Sequence, residues 1–351
     1  MRELNDLVRD NVKRLKPYSS ARDEFHGEAS IFLDANENPW NAPYNRYPDP
    51  MQLRLKERIS EIKGAALESI FLGNGSDEAI DLIYRAFCEP GVDNVISISP
   101  SYGMYQVSAE VNNVEFRVVS LNSDFSLDAD ALLAAADGQT KVIFICSPNN
   151  PSGNSLDRAE IDRILNSFDG LVVVDEAYID FSSSPSFLTE LSSHPRLVVL
   201  QTLSKAWGAA AIRLGMAFAS PAIISVMNKI KYPYNVNLLT QERALEILAD
   251  EERTKRQVKT ILNERAKMAE ALGGEPFNFH VYPSDANFLL VKVGDANRAY
   301  SWLVGEGIVT RNRNSVDMCA GSLRITIGTP EENSRLLESL RRFVNINDEN
   351  R

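Results

Sequence analysis

Lys205, in Thr202-Leu203-Ser204-Lys205-Ala206-Trp207, is an amine three residues past an apolar, β-branched run. Asn150 in Ser147-Pro148-Asn149-Asn150-Pro151-Ser152-Gly153 and Asp175 in Val172-Val173-Val174-Asp175-Glu176-Ala177-Tyr178 precede it, and Arg213 follows. An amine at a strand end, near other cations, has its pKa lowered, and a neutral amine is what imine formation needs. A carboxylate closing an apolar strand can keep a pyridine nitrogen protonated and make the ring an electron sink. Amine, carboxylate, amide and guanidinium are the groups that a pyridoxal phosphate (PLP) site requires. Each alone has a plainer reading: most lysines are solvated, Asp175 could cap a strand, and Asn-Pro-Ser-Gly is a turn. The ordered set is what points to an enzyme.

Three further motifs fit that chemistry. Gly73-Asn74-Gly75-Ser76-Asp77-Glu78 opens a helical pattern. Glycines, an N-cap serine (Ser76) and free backbone N–H groups would make an anion cradle there. Asp77 and Glu78 complement the helix dipole and would repel a phosphate unless they point away, with Arg213 supplying the opposing charge. Tyr102, in Pro100-Ser101-Tyr102-Gly103-Met104-Tyr105, is a candidate to stack on a flat ring, although an ordinary core aromatic reads the same. Tyr178 could reach a phenolic oxygen of the cofactor together with Asn150.

The elements that must position these groups are legible in outline. Apolar runs at 94–99, 114–121, 141–147, 171–175, 197–202 and 214–219 read as strands, with helical periodicity over 76–88, 126–136 and 158–168 between them. Near-continuous apolar strands alternating with helices predict an α/β fold: a three-layer large domain on a mostly parallel sheet, plus a smaller α/β C-terminal domain. Ligands in such sheets bind at the carboxyl ends of strands, where Asp175, Thr202, Ser204 and Lys205 fall. Leu4, Leu7, Val8, Val12 and Leu15 predict an opening amphipathic helix, and an Asn-, Pro- and Tyr-rich irregular stretch covers 31–50. The expected organisation is an N-terminal helix and arm over 1–45, a large domain over 46–245 and a small domain over 246–351. One long helix at about 236–272 links the last two. Strands are expected at 287–293 and 322–327, and Thr329, Pro330 and Glu332 start a final helix with a capping box.

Composition narrows the partners. In 351 residues, 48 Asp and Glu against 37 Lys and Arg give a formal net charge of -11, which disfavours nucleic acid and anionic membrane. Three widely spaced cysteines and three histidines predict neither a disulfide framework nor a metal site. Without an apolar signal core or a membrane-length run, the expected location is cytoplasmic.

On these motifs the chain resembles the fold-type I PLP-dependent aminotransferases. Asn-Pro-x-Gly, Asp-x-x-Tyr and Ser-Lys are shared across that superfamily. Ala35-Asn36-Glu37-Asn38, Arg46-Tyr47-Pro48 and Tyr102-Gly103-Met104-Tyr105 are more particular to its histidinol-phosphate branch, and the likeness covers nearly the whole chain. The resemblance implies Lys205 as the Schiff-base lysine, Asp175 at the pyridine nitrogen, Asn150 with Tyr178 at the phenolic oxygen and Tyr102 over the ring. It implies Gly75, Ser76, Thr202, Ser204 and Arg213 around the phosphate and Asp77 among the cofactor-binding residues, with Tyr47 reaching in from a second subunit of a homodimer. Arg324 matches the arginine that holds an α-carboxylate, and Tyr18, Asn36 and Arg311 match positions that meet substrate, with Arg22 a further cation. Ser101 and Ser152 stand where threonine is common, and Thr310 stands where an apolar residue is usual before Arg311.

The implied activity is transamination between L-histidinol phosphate and 2-oxoglutarate in histidine biosynthesis. A substrate with a phosphate and a co-substrate with two carboxylates suit arginine, whose fork binds either anion through paired hydrogen bonds. Arg311, Arg324 and Arg22 could share that task, while Arg313 reads more readily as a surface residue. The alternatives are an aromatic amino acid aminotransferase, a threonine-phosphate decarboxylase, or a non-catalytic ligand-binding module of the same fold.

Overall fold

The structure, a computed structural model, describes residues 3–18 and 30–349. Its centre is a seven-stranded sheet of β1 (Ile70–Asn74), β2 (Asn94–Ser99), β3 (Glu115–Ser120), β4 (Thr140–Cys146), β5 (Leu171–Asp175), β6 (Leu197–Thr202) and β7 (Leu214–Ala219). The spatial order is β1-β7-β6-β5-β4-β2-β3, and only β7 runs antiparallel to its neighbours. Alternate residues feed two separate cores. Ile143, Ile145, Val172 and Val174 pack on one face, and Val142, Phe144, Leu171 and Val173 on the other. Helices cover both faces, which makes the three layers expected from continuously apolar strands.

A second, four-stranded antiparallel sheet, in the order β10-β11-β9-β8, comprises β8 (His280–Val281), β9 (Phe288–Lys292), β10 (Arg311–Asn312) and β11 (Ser322–Thr326). Leu289, Val291, Leu323 and Ile325 pack there against Leu336, Leu340 and Phe343 of the helix Pro330–Glu349. Phe288 and Leu290 turn the other way and join the core of the large sheet, so the two layers meet through apolar contact. The final helix starts as its capping box predicts. Thr329 N–H donates to Glu332 Oε2 at 2.8 Å and Glu332 N–H donates back to Thr329 Oγ1 at 3.2 Å.

Several elements depart from the sequence expectation. The opening helix is two short pieces, Leu4–Leu7 and Asp10–Arg14, broken by extended backbone at Val8. Arg9 N–H donates to Ala86 O, and the Arg9 guanidinium bonds Glu89 and Arg85 O. Docking therefore takes the backbone that helical continuity would have used. The linking helix is likewise two, Leu238–Leu248 and Glu251–Gly273, because the Asp250 side chain accepts from Arg253 N–H and starts a new helix. β1, β8 and β10 carry no periodicity long enough to signal a strand; pairing with β7, β9 and β11 creates them.

Candidate active site

Five parallel strands and the start of β7 bring their loops to one edge of the large sheet. Gly75, Ser76, Asp77, Tyr102, Asn150, Asp175, Tyr178, Thr202, Ser204, Lys205 and Arg213 line a single cleft of about 130 Å³ there, with Cys146, Ala177 and Ala210. Residues up to 138 positions apart thus meet where the sheet's polarity puts its carboxyl ends. A larger cavity of about 1120 Å³, beside Tyr18 and Pro48–Met51, contains none of this set.

Lys205 sits with its Nζ 5.6 Å from the centroid of the Tyr178 ring. Burial lowers its pKa, Arg324 and Arg213 push the same way, and Asp175 and Asp77 oppose. Asp175 is deeply buried and raised from 3.8 to about 6 by that burial. Two donors hold the carboxylate against it: Tyr105 Oη donates to Oδ2 at 2.7 Å, and Ala177 N–H donates to Oδ1 at 3.0 Å. No ion pair to Asp175 is found among the described residues, so a protonated ring nitrogen at the cleft would complete it.

The phosphate end is built by close packing. Gly75, at φ +74, is the helix N-cap; Ser76 is the first helical residue rather than the cap, because only glycine takes Gly75's backbone conformation readily. A Cβ on Gly75 would lie 2.5 Å from Arg213 Nη2, and one on Gly215 would collide with the backbone of Gly75 and Ser76. Gly75 N–H donates to Arg213 O at 2.8 Å, fixing the helix start against the beginning of β7. Thr202 Oγ1 lies 3.0 Å from Ser204 Oγ and accepts from Ser204 N–H. The two acidic side chains are already engaged by neighbouring donors. Asp77 accepts from Tyr102 Oη at 3.0 Å and pairs with Arg213 at 3.4 Å, while Glu78 accepts from Asn74 N–H and Asn235.

At the other end Asn150 Nδ2 donates to Tyr178 Oη at 3.5 Å and Asn150 Oδ1 accepts from Arg324 Nη1 at 2.5 Å. Arg324 also lies over the Phe288 ring, so the small sheet closes one side of the cleft. Tyr18, Asn36, Tyr47 and Arg311 are exposed and stand outside the cleft of their own chain; Tyr47 stacks on Tyr234 at 4.4 Å. Arg22 lies outside the described residues. Tyr105 is the member that motif reading missed as a partner of Asp175, since it stood there only as part of the Tyr102–Tyr105 segment. Thr310 is buried with an unpartnered hydroxyl where an apolar side chain would leave none.

Cleft and donor set fit PLP: an amine with lowered pKa, a buried carboxylate awaiting a cationic nitrogen, and a glycine-lined helix start facing a guanidinium. Together with the sheet they define a PLP-dependent transaminase. The chain belongs to the aminotransferase class I and II family, whose pattern matches residues 34–340. It is 67% identical over 341 residues to the histidinol-phosphate aminotransferase of Parabacteroides distasonis, covering 97% of this chain and 99% of that one. It is 60% identical over 344 residues to that of Bacteroides fragilis, covering 98% and 100%. The solved histidinol-phosphate aminotransferase from Sinorhizobium meliloti in complex with pyridoxal-5'-phosphate shares the fold, with a TM-score of 0.78, 23% identity, and coverage of 89% and 90%.

Proposed function

We propose that this chain catalyses the reversible transfer of an amino group between L-histidinol phosphate and 2-oxoglutarate, giving imidazole acetol phosphate and L-glutamate, in histidine biosynthesis. The single cleft that gathers Lys205, Asp175, Asn150, Tyr178 and Arg213 carries the reading, and the relatives' names supply the substrate. PLP, when bound, supplies a carbonyl carbon that joins amines and a ring that withdraws electrons from them.

The chain's own groups then have distinct tasks. Lys205, whose pKa burial lowers, holds the cofactor and afterwards carries the proton at its Nζ. Asp175 holds the ring nitrogen in its cationic form, and Tyr105 and Ala177 N–H keep that carboxylate oriented. Asn150 and Tyr178 donate toward the phenolic oxygen, and Tyr102 flanks the ring. Gly75, Ser76, Thr202, Ser204 and Arg213 hold the phosphate, with Asp77 orienting Tyr102 and Arg213. Arg324 takes a substrate anion.

The working unit in this reading is a cytoplasmic homodimer in which Tyr18, Asn36 and Tyr47 serve the neighbouring cleft. Ile31, Leu33, Trp40, Tyr44 and Tyr232, each more than three-fifths exposed, support a covered face. Boundaries near 45 and 245 for arm, large and small domains belong to the same proposal. The test is to load the protein with PLP, supply histidinol phosphate and 2-oxoglutarate, and measure glutamate. No glutamate from a protein that is yellow and reducible by borohydride would overturn the substrate assignment while leaving the cofactor assignment intact.

A further inference from the structure

The segment that carries Tyr47 is organised around a buried carboxylate rather than an apolar core. Leu33, Trp40 and Tyr44 stand more than three-fifths exposed, yet the Glu37 side chain among them keeps only 3% of its surface in water. Its Oε2 accepts from Arg46 Nη1 at 2.7 Å, and its Oε1 accepts from the backbone N–H of Tyr47 at 2.6 Å. Arg46 Nη1 also donates to Phe32 O at 3.3 Å, and further round the loop Asn45 Nδ2 donates to Asn38 O at 3.0 Å. These contacts clasp the two ends of the loop 37–47. The Ala-Asn-Glu-Asn and Arg-Tyr-Pro motifs thus meet as acceptor and donors.

Burying a carboxylate is costly unless donors satisfy it, and here the donors belong to Tyr47 and the residue before it. A side chain that serves another chain's cleft cannot be positioned by its own core, so its backbone must be held instead. Glu37 fixes the N–H of Tyr47, and Pro48 restricts Tyr47 to extended backbone from the other side. Tyr234 stacks on the ring at 4.4 Å, and Lys231 Nζ joins the two segments by donating to Pro50 O at 2.9 Å and Pro233 O at 3.0 Å. We infer that Glu37 is a positioning residue for the neighbouring cleft: its carboxylate sets the backbone from which Tyr47 reaches the PLP phosphate of the second subunit. The inference rests on the proposed role of Tyr47 and adds to it the group that aims that side chain. Such preorganisation raises affinity because the tyrosine is ordered before the ligand arrives.

The test is fluorescence titration of the PLP-free full chain with PLP, in wild type, Glu37→Ala, Glu37→Gln, Tyr47→Phe and the double variant carrying Glu37→Ala and Tyr47→Phe. Losing one hydrogen bond to a charged group predicts that Tyr47→Phe raises the Kd about tenfold or more. Glu37→Ala should raise it by a similar factor, and Glu37→Gln, which keeps an acceptor for the Tyr47 N–H, should raise it less. Both changes remove the same contact, so the double variant should bind within about twofold of the weaker single variant. A double loss equal to the product of the single losses overturns the inference, as does wild-type affinity in Glu37→Ala. Unchanged affinity in Tyr47→Phe instead overturns the reading of Tyr47, and the inference falls with it. Heterodimers isolated through two different tags separate aim from folding. When a Glu37→Ala chain is paired with a Lys205→Ala chain, borohydride can fix PLP only on the former, whose cleft receives Tyr47 from an intact arm. Half-maximal fixing, read by mass spectrometry, should then return to the wild-type PLP concentration. A defect that stays with the Glu37→Ala chain marks a structural role and overturns the inference; chains that never co-purify overturn it together with the homodimer.

Discussion

Replacing Asp175 with asparagine should stabilise the PLP-free protein at neutral pH, although it harms the loaded one. Burial raises the folded-state pKa of Asp175 from 3.8 to about 6, while the unfolded chain releases the proton near the ordinary value. Between pH 4 and 6 the folded state therefore binds more protons than the unfolded state, and stability falls as pH rises. Below pH 4 both states are protonated and nothing is lost; above pH 6 the loss is complete. A rise of about two pH units at 1.36 kcal/mol each is ~3 kcal/mol. Asparagine has no such proton, and Tyr105 Oη can still donate to its oxygen. Urea unfolding of both PLP-free proteins at pH 4 and pH 8 should show their stability difference moving toward the variant by ~3 kcal/mol. Added PLP at pH 8 should then stabilise wild type more than the variant, because only the carboxylate pairs with a cationic ring nitrogen. Parallel pH profiles for the two PLP-free proteins would refute the idea that the fold stores an unpaired charge at this strand end.

Lys205→Ala should abolish turnover and leave nothing for borohydride to fix covalently; mass spectrometry after reduction distinguishes this from a merely slow enzyme. Tyr105→Phe removes the 2.7 Å hydrogen bond to Asp175 and should weaken PLP binding about tenfold or more, read by fluorescence titration of the PLP-free protein. Gly215→Ala drives a Cβ into the backbone of Gly75 and Ser76 and should cost about 3 kcal/mol or more in unfolding experiments. Gly75→Ala should be milder, about 1–3 kcal/mol, since Arg213 can swing aside and only the backbone conformation resists.

The chemistry-bearing set was legible because its members sit at ends of strongly apolar strands. β2, β5, β6 and β7 match their apolar runs residue for residue, and a parallel sheet forces those ends to one edge. Strand identity and loop residue type were thus enough to foresee that Lys205, Asp175, Asn150 and Arg213 would meet. Local pattern could not foresee features created by partners distant in the chain. β1, β8 and β10 are strands only through pairing, and the breaks at Val8 and Asp250 come from docking and capping. Tyr105 is a partner of Asp175 only because the helix Met104–Val111 lies against the sheet. The same holds for the arginines: the pairing of β10 with β11 sets Arg311 opposite Arg324 and leaves the first exposed and the second half-buried, which no local pattern encodes. Residue type and periodicity determined which chemical groups the site has. Tertiary packing decided which of them lose their solvent, and loss of solvent is what shifts a lysine, an aspartate or an arginine away from its ordinary behaviour.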